Sequence, residues 1–429
     1  MKLSFILLGL AVVCAAATGR AQTNQLSLAQ ARELAIERNW DLLAAKSGVD
    51  AATAQLLVAR EFPNPTASLS TAKIGTHLAS TVDGNGLAQR SYDSIAAVSQ
   101  LIEIAGKRGD RQAAARSGVL GAKARFFDAK RTLDQGVTKA YIAVLLAAEN
   151  ERVLTESAGL MRKEAKIAEA QFNAGDLSAA DKSTLEINAE QFELQARAAA
   201  ATTMQARIAV EVLLGAPQPR GDWQTVDSLA SLMVATNTPA APGAPGATRP
   251  DVLAAQTDLE ASRAQLKLQQ ATRIPDPTFS VGVEHEPPDT GPAEDTVNVG
   301  VSFPLPLWNQ NQGNIHAAQA AVDQSQAALG KIRTQAMADV ATAESEYAEA
   351  CQRRLRYRDE IAPQSAQVRD AVAFQYEKGA ARLVDLLNAE QTDNTIRLAL
   401  AQAMNDTASA AADLTAARTG LTQSDLNRY

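Results

Sequence analysis

The segment from Lys107 to Ala174 constrains the fold of this 429-residue chain more than any other feature. It reads as one uninterrupted helix without proline. At 1.5 Å per residue such a helix is on the order of 100 Å long, far beyond an ordinary globular domain. Aromatic residues make up only 4% of the chain, and the 46% hydrophobic fraction is mainly alanine with leucine and valine. This composition predicts long helices that pack through small side chains rather than a deep globular core.

The charge and the metal-ligand content of the chain exclude some classes of function. The chain has 41 Lys and Arg against 48 Asp and Glu, a formal net charge of −7. This acidic balance argues against nucleic-acid binding, which needs a basic face. The three histidines are His77, His285 and His316. With so few histidines and cysteines, we expect no metal centre and no cofactor.

The first 21 residues have the pattern of a signal peptide. Lys2 supplies a positive charge, an apolar run follows from Leu3 to Ala17, and small residues precede the expected cleavage site after Ala21. A membrane anchor is the first alternative, although the apolar run is too short to span a bilayer. Lipidation of Cys14 is the second, although the bulky residues before it do not fit such a signal.

Cleavage after Ala21 fixes the charge and the cysteine content of the mature chain. It leaves 39 basic and 48 acidic residues, a net charge of −9, with Cys351 alone. No intramolecular disulfide can then form, even in an oxidising compartment. The most apolar remaining segment that we identify, Ala140–Ala148, is far shorter than the roughly 20 residues of a spanning helix. We therefore expect an exported protein that is either soluble or held in a membrane by β-strands.

Two pairs of similar segments indicate an internal duplication. FPNPTASLS at 62–70 resembles IPDPTFSVG at 274–282, and 170–188 resembles 374–392, which lies 204 residues later. Helix-breaking residues share this shift of 204: Gly109 with Gly313, and Gly159 with Pro363. Chance similarity among alanine-rich helices is the alternative, but matched breakers are hard to obtain from composition alone.

A linker rich in proline, glycine and alanine at 236–250 separates the two copies. We predict a first repeat at 22–235, a second at 251–420 and a C-terminal tail at 421–429. In each repeat a helix ends at a Pro-x-Pro pair, two strands follow, and a long helix leads through a short turn into another long helix. The expected first helices are Leu26–Glu61 and Asp251–Arg273, and the expected turns are 175–178 and 379–382.

The strands are clearest in the second copy, near 278–286 and 295–305. Val297, Val299 and Val301 lie on one face of a strand, and Asn298 and Gly300 lie on the other. This length and alternation match a tilted transmembrane strand, and a soluble hairpin that caps the helices is the alternative. The first-copy strands, near 66–74 and 92–104, alternate less well.

The helix after the first turn has two apolar seams. Leu185, Phe192 and Ala199 recur every seven residues, and so do Ile187 and Leu194, about 200° away around the helix. Two nearly opposite seams predict a neighbour on each side, as in a wall of helices, whereas an ordinary buried bundle helix is the alternative.

Four strands in one chain cannot close a barrel, because small closed barrels need about eight. Strand edges cannot remain unpaired in lipid. Several chains must therefore share a barrel: two would give a filled interior, and three would leave room for a lumen.

These features resemble the TolC-like outer-membrane efflux proteins over nearly the whole mature chain. The segment VNVGVSFPLPLWNQNQGNI at 297–315 resembles their cobalt–zinc–cadmium branch. The resemblance implies a mainly α fold with a β-barrel portion. It implies a homotrimer in which a 12-stranded outer-membrane β-barrel continues into a periplasmic α-barrel. It also implies a passive duct for heavy-metal cations in a tripartite pump. The expected partners are a periplasmic adaptor, an inner-membrane proton-driven transporter and outer-membrane lipid.

The resemblance also assigns roles to the two turns. The expected adaptor-contacting residues are Gly175, Asp176, Leu177, Gly379, Ala380 and Ala381. The expected gate and entrance residues are Tyr376, Asp181, Asp385 and Arg382. Two positions depart from the family pattern. Where the family has its gate arginine, this chain has Ala381, and Arg382 follows one residue later. Where the family has its second acidic residue, this chain has Asn388. The alternative for each residue is a solvated turn charge, a helix cap or a packed tyrosine.

No motif for catalysis is present, so the chain is not expected to be an enzyme. His285 lies between Glu284 and Glu286, where a solvated side chain is a simpler interpretation than a metal ligand. Two other functions stay open. One is a non-channel periplasmic coiled-coil adaptor, and the other is the same duct serving organic compounds or protein secretion.

Overall fold

A computed structural model of the chain describes residues 24–72, 93–236, 248–286, 294–422 and 425–426. The predicted signal peptide with Cys14, most of the predicted linker, His77 and part of the C-terminal tail lie outside the described residues. The rest is mainly helical, with a four-stranded sheet at one end of the helices.

Both halves of the chain follow the same order of a helix, two strands and long helices. The first half contains β1 (Asn24–Leu26), α1 (Leu28–Arg38), α2 (Trp40–Arg60), β2 (Thr66–Ala72), β3 (Asp93–Leu101), α3 (Lys107–Ala174), α4 (Ala179–Leu213), β4 (Trp223–Thr225) and α5 (Leu229–Thr236). The second half contains α6 (Pro250–Thr272), β5 (Thr278–Glu286), β6 (Glu294–Ser302), α7 (Gln312–Arg356), α8 (Ala362–Glu377) and α9 (Leu383–Arg418).

The expectation of one helix over Leu26–Glu61 was wrong. Leu26 lies in β1, and Asn39 separates α1 from α2 with an extended backbone (ψ 128°). The Asn39 Oδ1 accepts a hydrogen bond from the Leu42 backbone N–H at 3.0 Å, and its Nδ2 donates to the Leu213 carbonyl at 2.9 Å. Asparagine is a favoured helix N-cap, so this side chain ends one helix and starts the next.

The helix α2 is a second apolar segment, besides Ala140–Ala148. By length and composition alone, this 21-residue helix could cross a membrane. Its buried side chains Leu42 and Val49 pack with Phe126 of α3. We therefore interpret α2 as part of the helical layer.

The sheet has the strand order β2-β3-β5-β6, with every pair antiparallel. One row across the four strands is Ala67, Val98, Val281 and Val299, and the adjacent row on the other face is Ser68, Ala97, Gly282 and Asn298. The sheet therefore has one apolar and one polar face. Within the described residues, the outer edges of β2 and β6 have no partner strand.

Two strands are shorter than expected. Strand β3 ends at Leu101 rather than near 104, and β6 ends at Ser302 rather than near 305. Pro304 and Pro306 lack the backbone N–H that a ladder needs, which explains the end of β6. Residues 73, 74 and 92 of the expected first-copy strands lie outside the described part.

The helix α3 is the centre of the helical layer, since it packs against α2, α4, α6 and α9. Its middle is anchored by Tyr141, which is fully buried and stacks on Trp223. The Tyr141 hydroxyl donates at 2.9 Å to an Asp227 carboxylate oxygen and lies 2.8 Å from the Leu26 carbonyl. These contacts fix β1, β4 and the start of α1 against the long helices.

The long helix of the second half is interrupted, whereas α3 is not. A π-helical turn at Tyr357–Ile361 separates α7 from α8, and the Ala362 N–H donates to the Tyr357 carbonyl five residues back. Pro363 follows directly. Its ring nitrogen has no hydrogen, so it cannot donate to the carbonyl of residue 359 as a regular α-helix requires. The position 204 residues earlier is Gly159, where α3 continues without a break. The proline thus accounts for the wide turn.

The two seams of α4 have different environments. Leu185, Phe192 and Ala199 are buried within the chain. Ile187 and Leu194, on the opposite seam, are 59% and 62% exposed. In the part of the chain that the structure describes, the Leu185 side of α4 is therefore covered and the Ile187–Leu194 side is not.

Candidate functional site

The two hairpin turns are built in the same way. Gly175 ends α3 with φ 88°, and Gly379 follows α8 with φ 72°. Both close with two backbone bonds to the preceding turn: Gly175 N–H to Phe172 and Asp176 N–H to Gln171, and likewise Gly379 to Tyr376 and Ala380 to Gln375. No heavy atom lies within 4 Å of a Cβ built at either glycine. Backbone conformation, and not lack of space, therefore requires glycine here.

The aspartate in each Gly-x5-Asp spacing lies in the first turn of the next helix. Ser178 caps α4, with its Oγ accepting from the Asp181 N–H at 3.1 Å and donating to Asp181 Oδ2 at 2.7 Å. Arg382 occupies the equivalent cap of α9, and its N–H donates to Asp385 Oδ2 at 3.2 Å. The Gly-x5-Asp spacing therefore occurs twice because both turns lead into a capped helix N-terminus.

Arg382 and Asp385 form a local pair on the protein surface. Two guanidinium nitrogens of Arg382 lie 3.2 and 3.3 Å from the carboxylate oxygens of Asp385. The hydrogen bonds from Arg382 hold the pKa of Asp385 below its ordinary value. Among the described residues, this pair does not connect one hairpin to the other. Ala381 lies in the turn, with its N–H 3.3 Å from the Gln375 carbonyl, and Asn388 is exposed on α9.

Tyr376 is half-buried where the two hairpins meet. It packs against an apolar cluster from α3, α4 and α9, to which Leu177 of the first turn also adds. Burial raises the pKa of Tyr376, and the negative charges of Glu164 and Asp181 raise it further. No hydrogen bond joins Tyr376 to Asp181 within the described residues. The structure thus brings Tyr376, Asp181 and Leu177 near each other and leaves Arg382 and Asp385 at the surface.

Polar contacts further from the turns join α9 to its neighbours, and sequence reasoning missed them. The Asp393 side chain is only 3% exposed, and its Oδ2 accepts from Arg369 Nη1 of α8 at 2.7 Å. On the other side of α9, Arg397 lies 2.6 Å from Glu156 of α3. Ser157 Oγ is 3.2 Å from Asn394 Oδ1. These contacts hold α9 between α8 and α3.

Two glutamates near these contacts, Glu164 and Glu390, have raised pKa values. Burial raises the pKa of Glu164 on α3, and the charge of Glu377 adds to the effect. Burial also raises the pKa of Glu390 on α9, despite the opposing charge of Arg369. The interface between the hairpins therefore concentrates negative charge that is poorly solvated.

His285 lies near the end of β5 and pairs with a carboxylate. His285 Nδ1 lies 2.8 Å from Asp295 Oδ1, on the neighbouring strand β6. Within the described residues, no group of three or more His, Cys, Asp or Glu side chains is arranged to hold a metal ion.

Comparisons with known proteins place this geometry in context. The family model described as "Outer membrane efflux protein" matches residues 17–216 and 246–420. The chain is 25% identical over 375 residues to the cobalt-zinc-cadmium resistance protein CzcC of Cupriavidus metallidurans, covering 87% of this chain and 85% of that protein. It is 28% identical over 297 residues to the nickel and cobalt resistance protein CnrC of the same organism, covering 69% and 67%.

A solved structure shares the fold. The crystal structure of a membrane protein from Pseudomonas aeruginosa aligns with a TM-score of 0.76 at 19% identity, covering 91% of this chain and 92% of that one. At this identity the likeness concerns the fold alone.

Proposed function

This chain belongs to the outer membrane efflux protein family, and from that premise we propose that it is the trimeric exit duct of a heavy-metal efflux pump. The observation that carries the proposal is the four-stranded antiparallel sheet with one apolar face and two outer edges that no described strand pairs. Such edges cannot persist in lipid, so the sheet must be completed by other chains. Three copies supply 12 strands, enough for a barrel with a lumen.

The exposed helix faces support the same closure. Among the described residues, nothing covers Ile187 and Leu194 on the second seam of α4, and Trp40 of α2 is 67% exposed. At the other side of the helical layer, Met337 of α7 and Val368 of α8 are 67% and 58% exposed. When the α2 and α4 side of one copy packs against the α7 and α8 side of the next copy, both apolar surfaces become buried. Repeating this contact around an axis closes a ring.

The sheet faces divide between lipid and lumen. Val281, Val297 and Val299 are more than half exposed and suit contact with acyl chains. The opposite face has small residues at its centre, where a Cβ on Gly282 would lie 2.9 Å from the Ala97 Cβ. A wide, smooth lumen selects weakly, so the energy and the choice of cargo come from the partners.

The strand charges favour a cationic cargo. The described residues of β2, β3, β5 and β6 include no Lys or Arg, and the acidic residues on their polar face are Asp93, Glu284, Glu286 and Glu294. Acidic linings favour cations over anions. We infer that cobalt, zinc, cadmium or nickel ions leave through this duct, in line with the names of the two relatives.

The remaining assignments are also part of the proposal. Residues 22–235 and 251–420 are the two structural repeats, and 1–21 are removed as a signal peptide. The tips at Gly175–Leu177 and Gly379–Ala381 contact a periplasmic adaptor that joins the duct to an inner-membrane proton-driven transporter. Tyr376, Asp181, Asp385 and Arg382 form the entrance.

Deletion of the gene in its native host, with membrane fractionation of the tagged protein, tests the proposal. We expect the protein in the outer membrane and cells that accumulate and become sensitive to one or more of these divalent cations. A protein found only in the soluble periplasmic fraction would contradict the duct. Unchanged metal tolerance in a strain without a second duct would contradict the cargo.

A further inference from the structure

The loop between β6 and α7 carries a large apolar surface that none of the described residues covers. Its residues Phe303, Leu305, Leu307 and Trp308 are 57%, 66%, 66% and 90% exposed. The loop at the equivalent place in the first half, between β3 and α3, is shorter and offers only Ile102 and Ile104, at 44% and 38%. The apolar loop is therefore a feature of one repeat and not a general consequence of joining a strand to a helix.

The loop is held firmly at both ends. Ser302 pairs with Thr278 at the end of the sheet. At the other end, Asn311 Nδ2 donates to the Gln269 carbonyl of α6 at 2.8 Å, and Arg273 lies 3.1 Å from Gln310 Oε1. The polar half of the loop is thus fixed to α6, and the apolar half projects from a rigid base.

The backbone of the apolar half suits a poorly hydrated environment. Pro304 and Pro306 have no N–H to leave unpaired, and the Leu307 N–H donates to the Leu305 carbonyl at 2.9 Å. An irregular segment is costly at a membrane surface chiefly because of its unpaired backbone donors. In Phe303–Trp308, three of the six backbone positions thus have either no N–H or a paired one.

We propose that Phe303–Trp308 is a membrane anchor that lies in the lipid headgroup region at the periplasmic edge of the sheet. The proposal rests on the proposed function, because it needs the sheet to be in the outer membrane. Phe303 continues the alternation of Val297, Val299 and Val301, so the apolar face of the sheet runs directly into the loop. Tryptophan prefers this region, where its ring meets acyl chains and its N–H meets water. The occupant of the surface is therefore lipid rather than a second protein.

Tryptophan fluorescence in reconstituted full-length protein tests the anchor. Trp223 is only 5% exposed and Trp40 can be changed to Phe in all samples, which leaves Trp308 as the residue open to quenchers. Vesicles contain phosphatidylcholine brominated either near the headgroup or near the end of the acyl chain. We expect strong quenching by the shallow bromine, weak quenching by the deep bromine, and loss of both in the Trp308→Phe variant.

A second variant separates failure of the anchor from failure of the proposed function. Val299→Trp, in the Trp308→Phe background, places an indole on the apolar face of β6 and should be quenched most by the deep bromine. Quenching of this residue without quenching of Trp308 would overturn the anchor and leave the sheet in the membrane. If iodide in water also failed to quench Trp308, a neighbouring copy would cover the loop instead. Absence of quenching in both proteins would overturn the anchor together with the membrane location of the sheet.

Discussion

Arg369 of α8 reaches the nearly buried carboxylate of Asp393 on α9, with 2.7 Å between Nη1 and Oδ2. This ion pair connects the two arms of the second hairpin about ten residues above the turn. Its partner contact on the other side of α9, from Arg397 to Glu156, ties the hairpin to α3. The ion pairs that hold the hairpins together are therefore formed by residues other than those expected at the turns.

Arg369→Ala should destabilise the hairpin strongly, because it leaves the Asp393 carboxylate buried without a counter-charge. We expect a loss of about 2 kcal/mol, less than for a fully buried pair because the Arg369 side chain remains 22% exposed. Asp393→Asn should cost less, and the double variant should cost less than the sum of the two. Thermal unfolding of the purified protein in detergent measures the stability of the two single variants and the double variant, which together form a double-mutant cycle. The exposed pair Arg358–Asp359 is the control, and equal losses there would refute a special role for Arg369.

Gly175→Ala and Gly379→Ala should each destabilise their turn by about 1 kcal/mol, because a β-carbon strains the left-handed backbone. Gly136→Ala is the matched control: this glycine lies inside α3 with no atom near its Cβ position, and alanine there should stabilise the helix. Hydrogen exchange of the turn amides gives the local effect, and adaptor pull-down from membranes gives the functional one. Normal pull-down by both turn variants, despite faster exchange, would argue against the tips as the adaptor contact.

Pro363→Ala should convert the π-helical turn into regular α-helix, because it restores the missing N–H and removes the ring. We expect amide exchange around Ala362 to slow roughly tenfold, since an interior proline costs about 3 kcal/mol and part of this is recovered. Gly159→Pro is the reciprocal change and should open α3 at the matching position. Unchanged exchange in Pro363→Ala would mean that packing against α9, and not the proline, causes the wide turn.

The raised pKa of Glu164 should make the hairpin interface sensitive to pH. A carboxyl whose folded pKa lies above its unfolded value stabilises the fold at low pH, and this contribution is lost as the pH rises through the folded pKa. Glu156 acts in the opposite direction, because its hydrogen bond with Arg397 lowers its pKa. We expect Glu164→Gln to stabilise the interface at neutral pH and to flatten the pH dependence of unfolding just above the ordinary range of glutamate. Glu169→Gln, on the exposed side of α3, should do neither, and identical profiles for both variants would contradict this account.

Asp385→Ala should lower the cation selectivity of the reconstituted duct and its block by multivalent cations, if three copies of Asp385 surround the entrance. The structure shows Asp385 in a helix cap with Arg382, whose positive charge offsets part of the ring. Ser178→Ala removes the side-chain cap of α4 without removing a carboxylate from the entrance, and it controls for loss of helix structure. Planar-bilayer reversal potentials give the answer, and a selectivity equal to that of the unchanged protein would leave Asp385 as a cap only.

The sequence predicted those parts of the fold that depend on local patterns. The alternation at Val297, Val299 and Val301 identified β6, and the glycines at 175 and 379 identified the turns, because both signals act within a few residues. The duplication strengthened the weaker first-copy strands. Asn39 is a favoured helix N-cap, but the apolar pattern continues on both sides of it and so predicted one helix instead of two.

The contacts between helices could not be predicted in this way. The positions 204 residues before Arg369 and Asp393 are Ala165 and Ala189, so the repeat gives no hint of this ion pair. Its existence depends on which faces of α8 and α9 meet, and that is set by packing along whole helices. The π-helical turn is similar: Pro363 indicated a disturbance, but not whether the helix would end, bend or widen.

Cysteine crosslinking between the edge strands tests the central claim most directly. In a Cys351→Ser background, Ser68→Cys on β2 is combined in turn with Thr296→Cys, Asn298→Cys or Ser302→Cys on β6, all on the polar face of the sheet. Because β2 and β6 are the outer strands of the sheet, on opposite edges, these cysteines can meet only between copies. Oxidation in intact outer membranes should give, for at least one pair, a ladder of two and three chains and nothing larger. No crosslink for any pair, or a ladder that continues beyond three chains, would contradict a closed trimeric duct.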